Sequence, residues 1–109
     1  MGKVIYICSP YRAKDKTEAD RNVEYAKELT RKVLLERNVP VTPHLYMTQC
    51  LDDNDEQERR IGLDAGQQIL GKCDEILVGC RHGISEGMRA EIIIAASKGI
   101  KIKMEEFKA

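Results

Sequence analysis

The stretch ISEGMRAEIIIAASKGI, Ile84 to Ile100, puts a carboxylate where an amphipathic helix should be apolar. Met88, Glu91, Ile92 and Ala95 fall at i, i+3, i+4 and i+7, which is one helical face. An ionised carboxylate in such a stripe is costly unless something pairs with it. Six residues earlier stands Ser85, a natural N-cap, in a segment whose Gly83 to Gly87 amides favour an anion. Ser85 and Glu91 are separated by roughly 9 Å along the axis, from a rise of about 1.5 Å per residue. The Glu91 side chain tilts back toward the N-terminus, so carboxylate and anion cap lie about a sugar phosphate apart. The alternative for Glu91 is an ion pair with Arg89, Lys98 or a cation across a subunit interface.

Strands and helices must alternate to position these groups. KVIYICS (Lys3–Ser9) reads as a buried first strand ended by Pro10. Thr17 with Asp20 predicts a capping box opening a helix whose inner stripe is Val23, Ala26, Leu29 and Val33, ending near Asn38. Val39–Pro43 is a short second strand. A second helix, from about Glu58 to Gly71, should turn Ile61, Ala65, Ile69 and Leu70 inward. Glu75–Cys80 is a third strand, the opening stretch a third helix, and Ile100–Met104 an alternating last strand exposed on one face.

This βαβαβαβ order implies one Rossmann-like or flavodoxin-like α/β domain over residues 1–109. Its parallel sheet has four to five strands, with helices on both faces. Ligands in such sheets bind at the carboxyl ends of the strands, where the strand order reverses. The loops there carry Ser9 and Arg12, then His44, then Ser85. Arg12 is placed to reach an anion at the Ser85 cap. His44 has the alternative of capping the turn after Pro43, and Arg12 that of a solvated loop residue.

With 109 residues, 42% hydrophobic and 33% charged, the chain has the composition of one soluble globular domain. Lys plus Arg equals Asp plus Glu, 18 each, so nothing draws it broadly to nucleic acid or to a membrane. The four cysteines, Cys8, Cys50, Cys73 and Cys80, form no C-x-x-C pair. With only two histidines, no metal site is expected; reduced thiols and a cytoplasmic location are. The N-terminus reaches a strand at once, so no signal peptide is expected, and Ile92 to Ala96 is too short to span a bilayer. DDNDE, Asp52 to Glu56, lacks the calcium-loop spacing and is expected to be a solvated acidic loop. There is no dinucleotide fingerprint and no P-loop. One Phe, four Tyr and no Trp offer little to sandwich a flavin, so no cofactor is expected.

Together, VIYICSPYR, PVTPHL, CDEILVG and ISEGMRAEIIIAASKGI resemble the nucleoside 2-deoxyribosyltransferase-like superfamily, across nearly the whole chain. The nearest resemblance is to a small branch described as a domain of unknown function and related to 2′-deoxynucleoside 5′-monophosphate N-glycosidases. The resemblance implies Glu91 as the nucleophile in a G-x-x-x-E context after Gly87, with Tyr6 supporting it. It implies Ser85 and Arg12 at a phosphate and His44 beside a base. Ser9, Gly87 and Met88 complete the candidate binding set. The expected ligand is a small nucleotide or nucleoside, and a homodimer or higher homo-oligomer is expected. One departure stands out: where the family's enzymes carry an aspartate that helps protonate the leaving base, this chain has Gly66, and Asp64 should face elsewhere. The expected activity is N-glycosidic hydrolysis or deoxyribosyl transfer; the alternative is a nucleotide-binding or sensing domain with the same pocket and weak catalysis.

Overall fold

The run VIYIC, Val4–Cys8 (β1), is apolar at every position because both of its faces are covered. Ile5 and Ile7 meet Tyr25, Leu29, Val33 and Leu77 on one side of the sheet. Tyr6 and Cys8 meet Leu70, Cys73, Ile76, Val78, Met88 and Ala95 on the other. The structure, a computed structural model, describes residues 2–105; the expected span of 1–109 extends beyond these at position 1 and at 106–109. The remaining elements are α1 (Lys16–Leu35), β2 (Val39–Val41), a 3-10 turn (Pro43–Leu45), α2 (Met47–Cys50), α3 (Glu56–Leu70), β3 (Glu75–Val78), α4 (Glu86–Ser97) and β4 (Lys101–Met104).

All strand pairs are parallel, in the order β2-β1-β3-β4. Tyr6 sits opposite Val41 on one side and Ile76 on the other. The α1 residues pack on one face, and residues of α3 and α4 on the opposite face. This is the α/β sheet with helices on both faces that the alternation predicts, with four strands among the described residues. The chain runs from β1 outward to β2 and then returns past β1 to β3. The order therefore reverses between β1 and β3, whose carboxyl ends form the expected ligand-binding edge. Gly79, just beyond β3, keeps that edge tight. A Cβ there would meet Leu29 Cδ1 at 2.5 Å and Tyr25 Oη at 2.8 Å, so only glycine lets α1 pack this closely.

Several details differ from the sequence reading. The N-cap of α1 is Asp15, whose carboxylate accepts the Glu18 N–H at 2.8 Å; Asp20 instead pairs with Lys16 at 3.0 Å. The buried stripe of α1 is Asn22, Tyr25, Ala26, Leu29 and Val33, while Val23 is 43% exposed. Asn22 replaces Val23 because its amide donates to the carbonyls of Tyr11 (3.4 Å) and Arg12 (3.3 Å), tying down the loop after β1. A polar residue thus takes a core place, because its hydrogen bonds remove the cost of burial. The start of α3 is two residues earlier than expected, since Asp55 accepts the N–H groups of Gln57 and Glu58. Ile61 is exposed, and Gly66 and Leu70 take the buried face. All four β4 residues are exposed, not one face alone, as suits a sheet edge guarded by lysines.

Candidate active site

Tyr6 points from the middle of β1 toward α3 and α4, and its phenol donates a hydrogen bond to Glu91 Oε2. This bond, and not an ion pair with Arg89 or Lys98, is what the described residues provide for the awkward carboxylate. Burial pushes the Glu91 carboxyl above the usual carboxylate range, and hydrogen bonds from Tyr6 and then Cys8 act in the opposite direction. Burial first, and then the Glu91 charge, push the Tyr6 phenol far above its ordinary value, so it stays a donor. The neighbouring Cys8 thiol is likewise pushed up by burial and by Glu91. Its S–H lies 3.7 Å from the Met88 carbonyl and also acts on the Glu91 carboxylate, as a lesser donor than Tyr6.

Ser85 caps α4 as its position predicts: its Oγ accepts the Met88 N–H at 3.2 Å. The Ser85 N–H in turn faces Met88 Sδ at 3.5 Å, so Met88 is anchored at both ends of the cap. The Ser85 O–H remains a donor beside the unpaired amides of the first turn. Glu86 also lines this mouth and adds a negative charge to it.

On the opposite wall, Ser9 Oγ and His44 Nε2 lie 2.9 Å apart, and the edge of Tyr11 meets the imidazole with ring centroids 6.2 Å apart. Burial lowers the His44 pKa to about 4, so the ring is neutral at pH 7 and offers one donor and one acceptor. Arg12 reaches Asp53 at 3.7 Å, and Arg59 reaches the same carboxylate at 3.9 Å.

These groups share one cavity of about 550 Å³, within the size range of small-ligand sites. All eight candidate residues, Tyr6, Ser9, Arg12, His44, Ser85, Gly87, Met88 and Glu91, line it. Among the described residues no cluster of His, Cys, Asp or Glu could hold a metal ion. No described helix is long and apolar enough to cross a membrane. His82 lies elsewhere, against Tyr25.

The acidic loop is not simply solvated. Asp55 caps α3, Asp52 accepts the Asn54 N–H at 2.9 Å, and Asp53 turns into the cavity. Gly66 also faces the site: a Cβ built there lies 3.4 Å from Tyr6 Oη. The position where the resemblance expects an aspartate therefore lies on the cavity wall, while Asp64 is exposed and outside it. Sequence reasoning passed over Arg59 and Tyr11 and placed Asp53 only in a solvated acidic loop. The spacing of Arg59, Gly62 and Gly66 (i, i+3, i+7) carried a signal, since it forms one face of α3.

A family model described as Domain of unknown function (DUF7768) matches residues 3–105. No curated protein matches the chain's sequence. Among solved structures, the chain is similar to a 2-deoxyribosyltransferase from the psychrotolerant bacterium Bacillus psychrosaccharolyticus. The TM-score is 0.67 at 13% identity, over 96% of this chain and 77% of that one. At that identity the likeness is one of fold.

Proposed function

The chain belongs to the DUF7768 family, and we propose that its cavity cleaves or transfers the N-glycosidic bond of deoxynucleoside 5′-monophosphates, with Glu91 as nucleophile. The observation that carries this reading is the Tyr6–Glu91 hydrogen bond inside a cavity whose mouth is the Ser85-capped end of α4. The shared fold with a 2-deoxyribosyltransferase supports it, as does the resemblance to the N-glycosidase branch of that superfamily.

In this reading the substrate phosphate sits at the Ser85 hydroxyl and first-turn amides of α4, which holds the sugar over Glu91. A Glu91 oxygen attacks C1′ as the C1′–N bond breaks, through an oxocarbenium-like transition state, giving a glycosyl ester. The electron pair of the broken bond leaves with the base, which takes up one proton. Water then attacks C1′, freeing the sugar phosphate and the Glu91 carboxylate, and the proton it loses balances the one the base gained. A second base in place of water makes the reaction a transfer. Tyr6 orients the carboxylate and favours its ionised form; neutral His44, with Ser9, borders the base.

A second reading, binding or sensing without efficient turnover, is favoured by one observation: glycine occupies the wall position where an acid would protonate the base. We also take the protein to be cytoplasmic and self-associating. Exposed Ile61 and Leu63 on α3 and Ile93 on α4 support the latter, and sizing chromatography tests it. Incubation with the common deoxynucleoside monophosphates, with free base resolved by chromatography, separates the two main readings. Base release that Glu91→Ala abolishes supports catalysis. Binding by calorimetry without release supports sensing, and no binding refutes both.

A further inference from the structure

Two guanidinium groups from distant segments, Arg12 in the loop after β1 and Arg59 in α3, converge on the single carboxylate of Asp53 at the cavity mouth. Both contacts are long, 3.7 and 3.9 Å through Nε, where a well-formed guanidinium–carboxylate fork closes to about 2.7–2.9 Å. The side chains are 66%, 40% and 39% exposed for Arg12, Arg59 and Asp53, so each pair is of the weak, exchangeable kind. We propose that Asp53 is a built-in placeholder for substrate phosphate, holding Arg12 and Arg59 together until a phosphate displaces it and takes both arginines as its clamp. The proposal rests on the nucleotide reading above and adds to it a second phosphate-binding arginine, Arg59, and an internal competitor, Asp53.

Three features make Asp53 suited to this exchange. First, neither its backbone N–H nor its C=O makes a hydrogen bond among the described residues, whereas its neighbours are fixed. Asp52 is held by Glu58, which accepts its N–H at 3.0 Å, and Asp55 by its cap on α3. Turning the Asp53 side chain outward therefore breaks only the two long ion pairs. Second, the charged groups lining the cavity are Arg12 and Arg59 against Asp53, Glu58, Glu86 and Glu91. That is two basic and four acidic side chains, which opposes a dianion; turning Asp53 away removes one of the four and frees both arginines. Third, a phosphate monoester carries about −1.5 to −2 charge and three acceptor oxygens, so it matches two guanidinium forks better than one carboxylate does.

The experiment is calorimetric titration of the full chain with a deoxynucleoside 5′-monophosphate and, separately, with the same unphosphorylated deoxynucleoside. The proteins compared are wild type, Asp53→Asn, Arg59→Gln and the double variant, each checked for folding by circular dichroism. Asp53→Asn should tighten the monophosphate about three- to tenfold, the range expected from freeing two exposed ion pairs. It should leave the nucleoside within about twofold, because that ligand has no anion for the clamp. Arg59→Gln should weaken only the monophosphate, and in the double variant most of the Asp53→Asn gain should disappear. That coupling separates a clamp from a general loss of negative charge at the mouth. A silent or weakening Asp53→Asn, or a gain that survives without Arg59, overturns the placeholder while monophosphate binding by wild type leaves the nucleotide reading standing. Failure of wild type to bind either ligand overturns both together.

Discussion

Placing an aspartate at position 66 should convert a slow or silent pocket into a faster one. The Cβ of residue 66 would stand 3.4 Å from Tyr6 Oη, so a side chain can start there without moving β1. Within a helix the exchange of Gly for Asp is mildly favourable, by about 0.3 kcal/mol from intrinsic propensities. Against this, a second carboxylate enters a buried wall beside Glu91, whose own pKa is already raised by burial. Two carboxyls in one such site cannot both ionise cheaply, so one retains its proton near neutral pH. The net cost to stability should be about 1–3 kcal/mol, the usual penalty for a buried polar group with incomplete partners. The retained proton is the one the leaving base needs, and a positioned general acid contributes about 10²–10⁴ in rate. The assay is base release from a deoxynucleoside 5′-monophosphate under single-turnover conditions, with urea denaturation run alongside. Gly66→Asn serves as the control, having nearly the same shape and no acidic proton. If Gly66→Asp folds and binds but releases base no faster than Gly66→Asn, the geometric account of position 66 is wrong.

Other consequences concern Tyr6 and protonation. Tyr6→Phe removes the larger of the two hydrogen bonds that oppose the raised pKa of Glu91. The acid limb of any base-release profile should then move to higher pH, with the plateau rate down about tenfold; an unmoved limb would show that Tyr6 does not control the carboxylate. Since the folded pKa of His44 is about 4 against about 6.5 unfolded, only the unfolded chain takes up this proton between those values. Stability from His44 is therefore complete above pH 6.5 and falls by about 3 kcal/mol as pH drops to 4, measurable as a falling urea midpoint. Glu91 has the opposite sign, because its folded pKa is raised and its contribution is lost as pH rises through that value. Glu91→Gln should accordingly raise stability at neutral pH and leave the His44 slope exposed at acid pH. A Glu91→Gln protein less stable than wild type at pH 7 contradicts a buried, desolvated carboxylate.

How much of this was visible in the chain depends on how local each determinant is. The strands β1 and β3 were legible because covered faces demand unbroken apolar runs, and Tyr6, Ile7, Ile76 and Val78 are all buried. Ser85 and Glu91 were legible as a pair because one helix fixes their spacing without tertiary information. Asn22 was not, since its place in the core is decided by carbonyls ten and eleven residues earlier in the chain. Asp53 looked like part of a solvated acidic run, and only the approach of Arg12 and Arg59 turns it inward. Ile61 misled because a helix at a domain surface can expose a large aliphatic group, and here Gly66 takes the inward face of α3. The resemblance located position 66 in sequence, but its closeness to the Tyr6 phenol is a property of the fold.

The central claim is that the Glu91 carboxylate, held by Tyr6, performs chemistry on a nucleotide's glycosidic bond. The most direct measurement traps the intermediate: the protein is mixed with a deoxynucleoside 5′-monophosphate, quenched in acid within the first turnover, and its intact mass determined. A mass increase equal to the sugar phosphate less one water, mapped to the peptide containing Glu91 and absent from Glu91→Ala, is the result predicted. Base release at full rate from Glu91→Ala, with no adduct on the wild-type chain, would contradict it.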